Sequence, residues 1–325
     1  MQIGIQNSEL GQRGGINTYS SRLNRYLNQI PNVKSKMFIE NYKNGKPDII
    51  SIQYEPGLFP PQKLQQFIQR YSEPIVVTAH HTIGLNNLYP LIDGVVIHDE
   101  SQISSVGKPW NYTVIPHPAL VYPEKDKMEL RKKFGLPLDK KIVGTMGFIC
   151  GTGKVLPLTV YNILSKLNSD EFLYLITPFW KGGDMGRFTE ITDIVNNKLG
   201  KSKNFRMDTD FISDEELLNE KMQCCDLMYC WNNVPKNINS GGGQSGSAAD
   251  IYGARVKMIV KDNQHFSHIA KQDKVLKGRE KPEEFAIDVI NALRNENLED
   301  VQNPEWLSWQ EQVKSYLKYF EELAL

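Results

Sequence analysis

The sequence predicts an α/β protein of two domains, each built on a parallel sheet. Short β-branched runs such as DIISIQY and PIVVTAH alternate with segments of helical periodicity along the chain, the pattern of βαβ units with right-handed crossovers. The chain has 325 residues, beyond the roughly 250–300 at which one hydrophobic core usually stops growing. The pattern breaks at PALVYPEKDK, Pro118 to Lys127, where prolines and charges suit a linker. Domains at 1–122, joined by 305–325, and at 123–304 are therefore expected.

Gln2 to Gln6 reads as a strand, and Ile16, Tyr19, Leu23, Tyr26 and Leu27 recur at helical spacing up to Ile30-Pro31. Strands follow at Lys36 to Ile39, Asp48 to Tyr54, Pro74 to His80, Gly94 to His98 and Tyr112 to Ile115, with a helix at Pro61 to Tyr71. Beyond the linker, helices are expected at Leu130 to Phe134, Leu156 to Leu167, Phe188 to Leu199, Ser213 to Met222, Ser247 to Tyr252 and Pro282 to Asn295. Strands between them fall at Lys141 to Gly147, Phe172 to Thr177, Asn204 to Met207, Asp226 to Trp231 and Val256 to Val260. A last helix after Asn303-Pro304 carries Trp309, Val313, Tyr316, Leu317 and Phe320 on one face, a stripe that must pack on a neighbour.

Composition narrows the function by exclusion. With 40% hydrophobic and 23% charged residues the chain is an ordinary globular one, neither disordered nor collagen-like. Equal numbers of Lys+Arg and Asp+Glu, 38 each, remove the broad cationic field of a nonspecific nucleic-acid binder, though not a local basic patch. MQIGIQNSEL has no signal-peptide pattern, and no apolar run approaches the roughly 20 residues that span a bilayer. Cys150, Cys224, Cys225 and Cys230 have the spacing of neither a disulfide framework nor a zinc site. The expectation is a cytoplasmic protein with at most peripheral membrane contact.

Four stretches can carry chemistry. GQRGGINT, Gly11 to Thr18, follows the first strand and opens a helix, so its glycines let backbone N–H groups and a helix N-terminus approach an anion. It lacks the GxGxxG dinucleotide fingerprint and the Gly-Lys-Ser/Thr of a P-loop, and a turn with glycines for geometry alone is the competing reading. SGGGQSGSAADIYGAR, Ser240 to Arg255, again leads from a strand into a helix. Ser245, Gly246 and Ser247 suit a diphosphate cradle and Asp250 a ribose, against the alternative of a flexible linker. Lys154, in the loop Cys150-Gly-Thr-Gly-Lys154, is a cation for a leaving phosphate or a solvated lysine. His80 and His81 end one strand and His98, Asp99 and Glu100 the next, on the side where open α/β sheets bind ligands. Glu55, at another strand end, is an acceptor-binding carboxylate or a loop cap.

Taken in order, these stretches resemble the GT-B glycosyltransferases, and among them the group 1 or family 4 retaining enzymes. GGINTYSSRLNRYL resembles the family's glycine loop and first helix, DIISIQYEPGLF its third-strand segment, and IVVTAHH the strand ending in an active-site histidine. VIPHP is similar to the phrase before the interdomain linker, KKIVGTMGFICGTGK to the first donor-domain strand with its phosphate-binding lysine, and SGSAADIYGARVKMIV to the ribose-binding helix and following strand. SWQEQVKSYLKYF resembles the final helix that crosses back onto the N-terminal domain. The resemblance spans nearly the whole chain.

It implies two Rossmann-like α/β/α domains facing a cleft and transfer of a sugar from a nucleoside diphosphate sugar, of UDP or GDP type, to a hydroxyl acceptor. Retention, no metal and no cofactor beyond the co-substrate are implied too. His80, Lys154 and Glu55 would be catalytic. Gly14, Gly15, Lys154, Ser245, Gly246, Ser247, Asp250 and Arg255 would hold the donor, while Glu55, His81 and Asn17 would face a glycan, lipid-linked, protein or small-molecule acceptor. No nucleic-acid partner is expected. The departures are specific. Members often carry two glutamates with seven residues between them, and aligning the second on Asp250 puts Gly242 at the first. Arg255 and Lys257 stand where glycine and proline are common, and the chain is short for the fold. The missing first carboxylate motivates one alternative, a non-catalytic nucleotide or glycan binder that supports an active partner; a second alternative keeps the fold but changes the reaction to nucleotide-sugar epimerisation.

Overall fold

A computed structural model describes residues 1–7, 14–43, 45–105, 111–147, 155–177, 185–194, 196, 204–233 and 243–325. The chain divides into two compact units. The first comprises Met1–Pro118, Asn239–Gly246 and Trp306–Leu325, and the second Ala119–Ile238 and Ser247–Glu305. The division falls a few residues before the expected position, because Ala119 and Leu120 are already held by the second unit.

In the first unit the chain runs β1 (Gln2–Gln6), α1 (Gly15–Leu27), β2 (Lys34–Phe38), β3 (Ile49–Tyr54), α2 (Pro61–Ile68), β4 (Ile75–Ala79), β5 (Gly94–Ile97) and β6 (Tyr112–Val114). All pairings are parallel, in the order β2-β1-β3-β4-β5-β6. The order reverses between β1 and β3, and it is at the carboxyl ends beside such a reversal that open sheets of this kind bind ligands. The expected strand ending at His80 stops at Ala79, one residue short of the histidine.

The second unit runs α3 (Lys127–Phe134), β7 (Lys141–Met146), α4 (Pro157–Leu164), β8 (Glu171–Ile176), α5 (Met185–Asp193), β9 (Phe205–Asp208), α6 (Glu215–Gln223), β10 (Leu227–Cys230), α7 (Gly246–Gly253), β11 (Met258–Lys261), α8 (Ser267–Ala270), β12 (Val275–Gly278) and α9 (Pro282–Arg294). Its parallel sheet has the order β12-β11-β10-β7-β8-β9. The switch point lies between β7 and β10; in sequence Lys154 follows the first and the glycine-rich stretch the second. Two readings change here. Helix α3 starts inside the expected linker because Asp126 caps it, accepting the Glu129 N–H at 2.8 Å. Strand β12 has no counterpart in the sequence reading, since VLKG is an edge strand with two of its four residues buried.

The last helix, α10 (Trp309–Ala324), belongs to the first unit. Ser308 caps it by accepting the Glu311 N–H, a Ser-x-x-Glu start. Its buried stripe is Trp309, Val313, Tyr316, Tyr319 and Phe320. Tyr319 replaces the expected Leu317, because its ring lies where a side chain on Gly94 of β5 would be. The stripe meets α1, with Tyr26 and Trp309 stacked at 5.8 Å and an interplanar angle of 6°. The other face of the sheet packs Ile50, Ile52 and Tyr54 against Phe59, Leu64 and Phe67. Among the described residues no helix is long and apolar enough to cross a membrane.

Candidate functional site

Alternation along β3 sends Ile50, Ile52 and Tyr54 into the core on the α2 face and Ser51 and Gln53 to the α1 face. A buried polar side chain needs a partner. Gln53 Oε1 lies 2.9 Å from Nε2 of His80, and its amide nitrogen donates to Ser51 Oγ at 3.1 Å. The ladder extends one residue past β4, because the His80 N–H donates to Tyr54 O at 3.1 Å. This places the imidazole at the carboxyl edge of the sheet.

His80 is the edge of an aromatic cluster. The Tyr19 ring of α1 lies 4.5 Å from His80 at 79°, 5.5 Å from His98 and 5.0 Å from His117, between centroids. His80 and His98 are 5.4 Å apart, and His98 and His117 5.1 Å. The Tyr19 and Tyr316 hydroxyls meet at 2.5 Å, tying α10 into the cluster. Burial, and secondarily the neighbouring His98, holds the His80 imidazole well below its ordinary value. Burial pushes His98 down to about 4, against the opposite effect of its Nδ1 bond to Ile115 O at 2.9 Å. Both imidazoles are neutral at pH 7. Among the described residues no three His, Cys, Asp or Glu side chains are placed to hold a metal ion.

Two glycines of the glycine-rich stretch lie against this cluster. A side chain on Gly243 would stand 2.9 Å from His80 O, and one on Gly246 2.7 Å from His117 Cε1. Close packing against histidines accounts for both. His81 is half-buried beside Gly243, and its buried Nδ1 has no hydrogen-bond partner among the described residues. Asn17 Oδ1 accepts from Asn7 at 2.9 Å, fastening α1 to the end of β1. Gly14 is the extended N-cap of α1, whereas a side chain on Gly15 would meet nothing within 4 Å. Glu55 is half-buried in the loop after β3, where its backbone oxygen accepts from Leu58 and Phe59 at 3.0 and 2.8 Å and its carboxylate reaches the Gly57 N–H at a long 3.4 Å. That is the geometry of a loop cap.

In the second unit Asp250 is 5% exposed, on α7. Its Oδ1 accepts the Leu120 N–H at 3.0 Å, while Asn219 Nδ2 donates to Leu120 O at 3.3 Å. The Leu120 carbonyl also fills the space above Gly253. Asp250 therefore fastens the start of the second unit, a role its sequence position did not suggest. Ser245 is buried and Ser247 half-buried at the helix entrance. Arg255 follows α7 in the left-handed region, φ 63°, and pairs with Glu305. Asp208, in the Asp-x-Asp of 208–210, is taken up by Tyr174, Arg206 and Lys221. Lys154, Gly242 and the first residues of both glycine stretches lie outside the described residues.

Sequence reasoning missed Tyr19, Gln53, His117 and Tyr316 as members of the site. Gln53 left a signal, a glutamine inside an otherwise β-branched buried strand, and His117 stood unexplained in VIPHP. Tyr19 and Tyr316 read only as core stripe residues.

No protein-family model matches the sequence, and no curated protein matches it. Solved structures do. A glycosyltransferase from Rickettsia africae ESF-5 aligns with a TM-score of 0.73 at 12% identity, covering 99% of this chain and 98% of that one. The Anabaena protein HepE, solved with UDP and glucose, aligns at 0.70 and 12% identity over 100% and 98% of the two chains. Sucrose-phosphate synthase from Thermosynechococcus elongatus aligns at 0.69 and 13% identity, over 99% and 94%. The alignments run through both doubly wound sheets and the returning helix α10. The chain therefore has the GT-B fold of the glycosyltransferases to which it is similar.

Proposed function

We propose that the chain is a glycosyltransferase that moves a sugar from a nucleoside diphosphate sugar to a hydroxyl acceptor, with retention and without a metal. The observation that carries this reading is the end-to-end likeness of both units to transferase structures, one of them recorded with UDP-glucose. The local chemistry supports it. A neutral imidazole offers one donor and one acceptor, which suits a sugar hydroxyl better than a phosphate. His80, at the carboxyl edge of the first sheet, is such a group.

Departure of the nucleoside diphosphate builds negative charge on its terminal phosphate. Lys154 and the N-terminus of α7 are assigned to that charge, which they stabilise more in the transition state than in the ground state. Gly15, open on its α1 face, lets a phosphate approach the backbone. Ser245 and Ser247 belong to the same donor side in this reading. His81, Asn17 and Glu55 belong to the acceptor side, which would take a glycan or another hydroxyl compound. The buried thiols Cys224 and Cys225 suit a cytoplasmic location.

The engagement of Asp250 by Leu120 favours one second reading, a nucleotide binder without turnover. A thermal-shift screen over UDP, GDP and ADP and their sugars, followed by a test for release of nucleoside diphosphate, separates the two. Release supports the transferase, and binding without release on any acceptor supports the binder. Absence of any shift and any release overturns both.

A further inference from the structure

The hydrogen bonds of Gln53 decide which nitrogen of His80 carries the proton. A carboxamide has one accepting oxygen and one donating nitrogen. Ser51 Oγ, on the same face of β3 two residues away, accepts from the amide nitrogen at 3.1 Å, and in this orientation of the carboxamide Oε1 faces Nε2 of His80 at 2.9 Å. An acceptor in front of Nε2 requires a hydrogen on it. A neutral imidazole has only one, so Nδ1 is left with a lone pair. Ser51 and Gln53 are both fully buried, and among the described residues the Gln53 contact is the one hydrogen bond of the His80 ring.

We propose that Gln53, anchored by Ser51, is a positioning residue that holds His80 as its Nε2–H tautomer, so that Nδ1 accepts a hydrogen bond from a hydroxyl of the transferred sugar. The sugar's part in this rests on the transferase reading above; the tautomer does not. Three features support the arrangement. Tyr19 stands edge-on to the ring at 4.5 Å and stops it from turning over. The titratable groups whose rings face His80 are Tyr19 from α1 and His98 from the end of β5, both neutral at pH 7. No charge from them competes with the Gln53 dipole. The strand pairing Gln53 to Thr78 and Tyr54 to Ala79 fixes the distance between the two side chains.

The test uses the intact chain labelled with 15N-histidine. Nitrogen NMR at neutral pH should show His80 in wild type as the Nε2–H form, and Gln53→Leu should populate both tautomers. With UDP-glucose as donor, Gln53→Leu should lower kcat about 10–100-fold, the usual cost of removing a group that orients a functional histidine, with KM little changed. Gln53→Glu places a carboxylate against Nε2–H and favours the imidazolium, so the acid limb of the kcat/KM profile should move to higher pH. Ser51→Ala, which removes the anchor and keeps Gln53, provides a milder variant should Gln53→Leu fail to fold. An Nδ1–H signal in wild type, or an unchanged tautomer in both Gln53→Leu and Ser51→Ala, overturns the proposal. So does an unaltered kcat and pH profile in the variants of a wild type that cleaves UDP-glucose. A wild type that cleaves no donor counts against the transferase reading, and the nitrogen spectra still decide the tautomer.

Discussion

Asp250 Oδ1 accepts the backbone N–H of Leu120 at 3.0 Å, across 130 residues of sequence. The aspartate that sequence resemblance assigns to a ribose thus also closes the first turn of chain in the second unit. Removing the acceptor strands a buried N–H. Asp250→Ala should cost about 1–3 kcal/mol of stability in denaturant titration, and Asp250→Asn, which keeps an acceptor, much less. UDP affinity of the two variants by calorimetry then separates the roles. A weakened Asp250→Asn that folds normally points to a ligand on the carboxylate, and wild-type affinity leaves Asp250 with the fastening role alone.

Glycines at the two helix entrances should respond in opposite ways. Gly246→Ala brings a methyl group to 2.7 Å from His117 Cε1 and should lower Tm. Gly15→Ala meets open space at the start of α1 and should leave stability unchanged or raise it by up to about 1 kcal/mol, since alanine is the better helix former. A loss of UDP binding in a fully folded Gly15→Ala would mean that a ligand approaches where the protein does not.

The neutral histidine cluster sets a pH dependence. His80 and His98 titrate lower in the folded chain than unfolded, where the value is about 6.5. Between those values the unfolded state binds more protons, so stability is full above about pH 6.5 and falls as pH drops toward 4. For His98, at about 4, the full loss is on the order of 3 kcal/mol. Unfolding midpoints in urea between pH 7.5 and 4.5 should show this slope, and His98→Gln should flatten it. An equally steep slope in the variant would assign the dependence elsewhere.

Arg255 adopts φ 63° at the end of α7, a position that suits glycine. Arg255→Gly should be more stable than Arg255→Ala by about 1 kcal/mol, because both variants lose the Glu305 pair and only alanine retains the backbone strain. Equal Tm values for the two variants would show that the left-handed conformation is not maintained in solution.

In the proposed transferase Lys154 stabilises the leaving phosphate. Lys154→Ala should lower turnover by roughly 10²–10³-fold, the usual cost of one charge-stabilising donor. An unchanged rate of nucleoside diphosphate release would remove the lysine from the mechanism.

The sequence by itself determined most of the elements and the fold class they build. Buried parallel strands are β-branched runs, and the start of the last helix carries its cap, Ser308, within three residues, so both are local signals. His80 is legible for the same reason, as a polar residue at the end of an apolar strand. Strand β12 was not, because Val275 to Gly278 is only four residues long with two apolar side chains and becomes a strand by pairing with β11. The partnerships that give the site its chemistry were hidden as well. Gln53 meets His80 across 27 residues, Asp250 meets Leu120 across 130, and Tyr19 meets Tyr316 across 297. Only the tertiary structure decided these, because a hydrogen bond reaches about 3 Å whatever the separation in sequence, and it is the stacking of helices on the two sheets that brings such residues within that distance.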